Sequence, residues 1–390
     1  MTKDSKIKEL PIDWKALDTF LNIHSPSTGE SNATEVIAKY MYDLGVHVQK
    51  DSFGSVICTI PSKKKDAPTL LLDAHLDEVG FKVIDITKGG FIRFQKLGGS
   101  DLHCSMGTEI TIHTSKGKIP GVLANKSIHL KKYSEKFEMP RIEHLFIDVG
   151  VTSIDEVKKL GIVRGDLVTV NGNFRWLNKN RLIGRALDNH AGCFILSQIL
   201  AKINHISKKR ELPFNIIGCF SVQEEIGLRG ATIISNKLNP DFSIVIDLTV
   251  ATDHPEVDLK KNAEIKLGSG PVIRKGLGEH HDLVETVCKI AENNKMLYQI
   301  DPSTAGANNQ DIIYKKGIPG ISFGPSSRYL HSTITMVDKK DIEICINLIN
   351  KCLHDSSLQA QFLNLHPYLK EWKPSSKSRS KSRSKSRSKS

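Results

Sequence analysis

Apolar positions recur along the chain in two rhythms, one helical and one alternating. Trp14, Leu17, Phe20 and Leu21 fall at helical spacing, and Ser25-Pro26-Ser27-Thr28-Gly29 reads as the turn that follows. A second helix is predicted over 32–44, ending at Gly45, and then strands over 55–60 and 69–72, the latter leading to His75. From about 83 to 172 the texture changes. Short apolar or alternating runs at 91–94, 109–113, 121–123, 145–149 and 166–170 are separated by glycines, with one short helix near 153–160. Closely spaced short strands of this kind predict a small β-barrel.

After residue 185 strands alternate with helices again. Leu196, Ile199, Leu200 and Ile203 mark one helix face; 214–220, 242–246 and 321–323 read as strands, and 281–295 as a helix. Ile342, Cys345, Ile346, Ile349 and Leu353 form a final amphipathic helix opening at Asp338. This alternation predicts an α/β fold with a mainly parallel sheet covered on both faces. The expected division is a discontinuous α/β body (1–82 and 173–370), an inserted small β-barrel domain (83–172) and a basic tail (371–390).

Composition narrows the picture little. A chain of 390 residues is long enough for two domains and a large core. No apolar run approaches the roughly 20 residues that span a bilayer, and the first residues lack the apolar core of a signal peptide. Seven scattered cysteines with no Cys-x-x-Cys pair read as reduced core residues of a cytoplasmic protein. The net charge of +12 is concentrated: 373–390 holds eight Lys or Arg and no acid, which leaves +4 for the rest. The body therefore gives no general argument for nucleic-acid binding. The strict basic/Ser alternation from Lys377 onward has nothing to bury and is expected to be disordered. It reads either as a solvated extension or as an arm for nucleic acid or another polyanion.

The candidate chemistry lies at the ends of the apolar runs: His75 and Asp77, Asp188, Glu224 with Glu225, Asp247 and His331. Each has an ordinary explanation when taken singly. Asp188 could cap a helix, and Asp247 could end a strand. Together they recur where open α/β sheets build their sites, at the carboxyl ends of strands. One cause covers them all: two divalent metals sharing a bridging carboxylate, roughly 3.5–4 Å apart, to activate a water and polarise a carbonyl. A further unligated Glu could then move the water's proton. Adjacent residues diverge, so one of Glu224 and Glu225 binds metal while the other faces the water; spacing does not decide which. His75 and Asp77 stand two apart, which suits a ligand imidazole and a carboxylate that orients it. Gly276-Leu277-Gly278-Glu279-His280-His281 lacks the spacing for a metal face, and Gly98-Gly99-Ser100 lacks a phosphate-loop Lys.

Four ordered motifs resemble the tetrahedral (TET) di-metal aminopeptidases, a family also called glutamyl or deblocking aminopeptidases and, historically, cellulase M. They are His75-Leu76-Asp77-Glu78-Val79-Gly80-Phe81, Gly184-Arg185-Ala186-Leu187-Asp188-Asn189, Gln223-Glu224-Glu225-Ile226-Gly227-Leu228-Arg229-Gly230-Ala231 and Arg328-Tyr329-Leu330-His331-Ser332. The resemblance covers about 10–355 and includes Ser25-Pro26-Ser27. It implies a zinc-peptidase-type catalytic domain with an inserted barrel, assembled as dimers up to a dodecamer. Carried over by motif, one metal would take His75, Asp188 and Asp247. The other would take Asp188, Glu225 and His331, with Glu224 as general base and Asp77 orienting His75. The chain departs from the family at His190, where Arg is common, and near Ser303-Thr304-Ala305-Gly306-Ala307, where an Asp is usual.

The function expected is a cytoplasmic aminopeptidase acting on short peptides with two divalent ions, zinc first and cobalt or manganese as alternatives. Two rivals are a glycoside hydrolase using paired carboxylates without metal, and a catalytically silent scaffold whose tail binds a polyanion. The preferred N-terminal residue is left open.

Overall fold

A computed structural model of the chain describes residues 10–133, 141–304 and 306–365. The tail on which the disorder and polyanion expectations fall lies outside them.

An eight-stranded mixed sheet forms the spine. Its order is His47–Lys50, Val56–Ile60, Asn215–Ser221, Thr69–His75, Phe242–Val245, Gly320–Gly324, Val272–Arg274 and Gln299–Asp301. The four consecutive strands from Asn215–Ser221 to Gly320–Gly324 are mutually parallel. Leu70, Leu71 and Leu72 are all buried, which explains the continuous apolar run: a central parallel strand has no solvent face. The helical run Leu187–Ser207 covers one face through Phe194, Ile195, Leu196, Ile199 and Leu200, and Trp14–Leu21 packs onto it. Helices Arg229–Leu238 and Asn309–Lys315 close the other face, where Ala231, Ile234 and Ile313 meet Leu71, Cys219 and Val245.

The inserted segment is a closed six-stranded barrel, in the order Gly80–Ile86, Ile92–Leu97, Leu145–Asp148, Gly117–Asn125, Glu109–Thr114 and Leu167–Val170. Phe81, Val83, Ile92, Phe94, Ile110, Ile112, Ile147 and Val168 fill a core of its own. Closure requires glycine at position 80, where a Cβ would stand 2.7 Å from the Val168 carbonyl oxygen. The chain enters the barrel past Glu78 and returns at Arg185, and these two side chains form a buried ion pair at the seam.

Three features differ from expectation. A second, five-stranded sheet (Arg175–Trp176, Arg181–Gly184, Thr335–Asp338, Ser326–Arg328, Thr249–Val250) was not anticipated, because its strands span only two to four residues and carry no readable alternation. An antiparallel edge strand, His47–Lys50, precedes Val56–Ile60. The helix capped by Asp338, Lys339–His354, is not the final one: Ser356–Leu365 follows and buries Leu358 and Phe362. All seven cysteines are free; five are buried, Cys288 is half-buried and Cys104 is exposed.

Candidate metal centre

The parallel strands end together, and their register lines up the site. Ser221 lies beside His75, and Val245 beside Asp73. The chain leaving Asn215–Ser221 carries Glu224 and Glu225, and the chain leaving Phe242–Val245 carries Asp247. Asp247 is seated close against the strand Gly320–Gly324, where a Cβ on Gly324 would fall 2.1 Å from its carbonyl oxygen. Asp188 stands at the start of the run Leu187–Ser207, where it and Asn189 are non-helical. Asn189 ties that start down: its amide donates to the Ile246 carbonyl (2.8 Å) and its side-chain oxygen accepts from the Gly192 N–H (3.1 Å). His331 comes from the turn between two strands of the small sheet, in a left-handed conformation (φ 59°).

These side chains converge on one crevice. His75 Nε2 lies 3.2 Å from Asp188 Oδ1 and 3.6 Å from Asp247 Oδ1. His331 Nε2 lies 3.4 Å from Asp188 Oδ2 and 3.3 Å from Glu225 Oε2. Asp188 therefore turns one oxygen toward each histidine. Three groups of donor atoms fall within 4.8 Å of one another: His75, Asp188 and Asp247; Asp188, Glu225 and His331; and His75, Glu224 and Glu225. Among the described residues these are the only groups that could hold a metal ion, and all belong to this crevice. The His280-His281 pair stays apart, with His281 opening the helix His281–Asn293.

The residues present fit divalent cations. Asp188 Oδ1 and Glu225 Oε1 are buried with no hydrogen-bond partner, an expensive condition for carboxylate oxygens unless something positive lies between them. His75 Nε2 approaches Asp188 Oδ1 at 3.2 Å without forming a hydrogen bond to it. Imidazole nitrogens with carboxylate oxygens are a donor set for zinc and its first-row neighbours.

The electrostatics follow from four carboxylates and two imidazoles sharing little solvent. Burial pushes Glu224 well above the usual carboxylate range, with Asp247, Glu225 and Asp188 adding to it against the opposing effect of His75. Burial also raises Glu225, to about 6, and raises Asp247. Asp188 goes the other way: burial opposes its charge, but His331 and His75 on either side hold it low. Asp188 and Glu225 lift His331 to about 11. His75 is raised as well, because Glu224, Asp188, Asp247 and Asp77 outweigh its burial.

Asp77 flanks His75 and also holds the turn that carries Glu224 and Glu225. Its carboxylate is 3.6 Å from His75 Nδ1, whereas its backbone carbonyl is 3.0 Å away. The carboxylate also accepts the N–H of Glu224 (2.8 Å), the N–H of Glu225 (3.2 Å) and the Ser27 hydroxyl (2.6 Å). His190 is buried behind the same region. Its Nε2 lies 2.7 Å from Ser25 Oγ and 3.1 Å from the Leu76 carbonyl. Sequence reading also passed over Gly98 and Gly99 once the phosphate-loop idea had been set aside. A Cβ on Gly99 would stand 2.8 Å from His331 Nδ1, and one on Gly98 would crowd the Glu225 backbone. The available signal was the Gly-Gly pair itself, which marks close backbone approach without naming what approaches.

A cavity of about 980 Å³ opens from the crevice. Beyond the metal-type residues its walls include Leu248, Val250, Arg274, Asp301 and Ser303. Thr304, Gly306 and Ala307, from the segment that lacks the usual Asp, line it too.

Comparison with known proteins agrees with this geometry. The model of the M42 glutamyl aminopeptidase family matches residues 54–348. The glutamyl aminopeptidase of Lactococcus lactis subsp. cremoris (strain MG1363) is 29% identical over 329 residues, covering 82% of this chain and 89% of the relative. The crystal structure of a TET aminopeptidase from the marine sediment archaeon Thaumarchaeota archaeon SCGC AB-539-E09 superposes with a TM-score of 0.84 at 27% identity, covering 89% of this chain and 98% of that one. The TET1 peptidase of Pyrococcus horikoshii, which can assemble into a tetrahedron or a large octahedral shell, has a TM-score of 0.76 at 28% identity, covering 86% and 98%. A family match over most of the length, with the same fold around this crevice, means that the chain belongs to the M42 glutamyl aminopeptidase family.

Proposed function

We propose that this peptide hydrolase is a two-metal aminopeptidase that removes N-terminal residues from short peptides. The observation that carries the reading is Asp188, whose two carboxylate oxygens face His75 on one side and His331 on the other. His75, Asp188 and Asp247 would hold one cation, and Asp188, Glu225 and His331 the other. When bound, the cations supply Lewis-acid polarisation of the scissile carbonyl and ease the deprotonation of a water. Zinc suits the donor set, and cobalt or manganese would also be accepted.

Glu224 is the general base in this reading. It lies beside the ligands without belonging to either of the two donor sets just named, and it lines the cavity. There it takes a proton from the attacking water and returns it to the leaving amine. Asp77 holds Glu224 by its backbone and flanks His75 by its own carbonyl. The cavity is wide enough for an amino-acid side chain beside the reacting bond, and its mixed walls of Leu248, Val250, Arg274 and Asp301 leave the preferred residue open. Similarity to a peptidase that forms closed shells supports a homo-oligomer, from dimer to dodecamer, that admits only unfolded peptides. No described helix is long and apolar enough to cross a membrane, and we take the cytoplasm as the working compartment.

The test is a panel of aminoacyl-anilides and short peptides assayed with and without chelator, alongside Glu224→Gln. Release of free amino acids should vanish with chelator and return with zinc, cobalt or manganese. Glu224→Gln should bind metal as the wild type does while losing activity. Chelator-resistant release of reducing sugar from a glucan would instead support the glycoside hydrolase reading.

A further inference from the structure

The turn that carries Glu224 and Glu225 is held from behind by a segment the reaction does not touch. Gln223 is left-handed (φ 60°), which bends the chain so that the next two N–H groups point the same way. Both point at Asp77: the Glu224 N–H reaches Oδ1 and the Glu225 N–H reaches Oδ2. Successive amides converging on an anion form a backbone nest, and here the anion is a side chain of the protein. Its direction fixes where the two glutamates stand.

The direction of Asp77 is set in turn by Ser27, whose hydroxyl donates to Oδ2 at 2.6 Å. Ser27 and Asp77 are both wholly buried, so no water substitutes for that bond. The segment bearing Ser27 is itself strapped to the chain around Asp77. Ser27 N–H donates to the Glu78 carbonyl (3.2 Å), and Glu78 N–H donates to the Ser25 carbonyl (2.9 Å). Ser25 donates its N–H to Glu78 Oε1 (2.8 Å) and its hydroxyl to the Leu76 carbonyl (2.8 Å). On the far side the Thr28 N–H is taken by Glu30 Oε1 at 3.0 Å, which holds the turn at the entry to helix Ser31–Asp43. The hydroxyl of Ser27 therefore sits at the end of a fixed strut, not on a mobile loop.

We propose that Ser27 is a positioning residue for the peptidase reaction, acting through Asp77 to aim the backbone of Glu224 and Glu225. The inference rests on the assignment of Glu224 as general base. Without the hydroxyl, Asp77 loses one of its three donors, and Oδ2 is held only by the longer bond from the Glu225 N–H. The Glu224 carboxylate then samples positions away from the reacting water, while the substrate-facing walls of the cavity are unchanged. The consequence is a loss in turnover with little loss in substrate binding.

The experiment is steady-state kinetics of Ser27→Ala, Asp77→Asn and the double variant in the full-length protein, with bound metal counted by plasma mass spectrometry. Assayed at saturating metal, Ser27→Ala should lower kcat by about 10–100-fold, the usual effect of removing a partner one shell out from a metal site, with KM within about twofold of wild type. Because Ser27 acts through Asp77, the double variant should be no slower than Asp77→Asn alone. A kcat for Ser27→Ala within about twofold of wild type overturns the proposal, and so do single losses that multiply in the double variant. Ser27→Cys keeps the side chain's shape with a weak S–H donor. If Ser27→Ala does not fold, the Cys variant takes its place, with an intermediate loss of kcat expected and wild-type kcat overturning the proposal. Glu224→Gln separates this failure from a deeper one. Wild-type rates in Glu224→Gln would refute the general-base assignment itself, whereas a dead Glu224→Gln beside a normal Ser27→Ala would refute only the strut.

Discussion

If two cations bind as proposed, replacing Gly99 by alanine should weaken the position that includes His331 while leaving the other unaltered. Gly99 lies in the stretch that follows the barrel strand Ile92–Leu97, and its backbone packs against the ring of His331. An added Cβ would stand 2.8 Å from His331 Nδ1 and 3.3 Å from Cε1. Ordinary contact begins near about 3.5 Å, so ring and loop must separate by roughly 0.7 Å. Neither side yields easily. The loop is tied to the same turn by the Asp101 N–H, which donates to the His331 carbonyl at 3.0 Å. It is tied to the barrel by Ser100 Oγ, which donates to the Gly80 carbonyl at 3.3 Å. The imidazole is rigid, so displacing Nδ1 displaces Nε2, the atom that faces Asp188 and Glu225.

Metal–ligand distances tolerate only about 0.2 Å, so the displacement is several times the allowance. The expected weakening at the position built from Asp188, Glu225 and His331 is about 10–100-fold, which corresponds to roughly 1.4–2.8 kcal/mol. The position built from His75, Asp188 and Asp247 does not touch the loop and should keep its affinity. Titration calorimetry of metal-stripped protein separates the two: wild type should show two binding events and Gly99→Ala one unaltered and one weakened. Gly89→Ala is the control, because a Cβ there meets nothing closer than 3.7 Å. Two unaltered sites in Gly99→Ala would refute the claim that the barrel's loop seats His331.

Other outcomes follow from the same structure. Glu224→Gln should lower kcat by about 10²–10⁴-fold, the range for loss of a general base, with metal content unchanged by mass spectrometry. Arg185→Met leaves Glu78 buried and unpaired at the barrel seam; the expected loss is about 3–5 kcal/mol by urea denaturation, and a loss under about 1 kcal/mol would place that pair in an effectively solvated setting. The seam should also respond to acid. Burial, then Arg185 and Lys118, hold His24 down to about 2, and burial, then Lys118, hold His113 down to about 4. Both rings are neutral in the fold, sharing the Thr169 hydroxyl at 2.7 and 2.9 Å. The unfolded chain binds protons on them below pH 6.5 and the folded chain does not. Their contribution to stability is therefore complete above that pH and declines as pH falls toward about 4. Urea midpoints across that window should drop less in a His24→Gln/His113→Gln double variant than in wild type.

What could be read from the chain alone depended on whether the reason for a residue lay near it in sequence. Leu70-Leu71-Leu72 announces a central parallel strand because burial on both faces removes polar alternation within the strand itself. Val56–Ile60 keeps a buried/half-buried alternation for the equally local reason that successive side chains take opposite faces. The barrel was legible through repeated short runs whose inward positions, such as Ile92 and Phe94, are two apart. The metal-type residues stood out because acids and histidines at the ends of apolar runs demand a partner. Spacing could not say that Asp77 spends its carboxylate on the backbone of Glu224 and Glu225. Those amides arrive on the turn after another strand, behind a left-handed residue that nothing in Gln223 advertises.

The same limit explains the small sheet and the glycines. Ser326–Arg328 and Thr335–Asp338 are too short to show a period, yet they set the turn on which His331 stands. Gly99 carries no side chain with which to declare a function, and its requirement comes entirely from a ring on that turn. One half of the proposed metal centre is thus written into the parallel sheet, where sequence pattern is strong. The other half, His331 against Gly99, exists only once the barrel has closed and the small sheet has formed. A perturbation of the barrel should therefore reach the second metal position before the first, which ties the occupancy of that position to the folding of a domain that supplies none of its ligands.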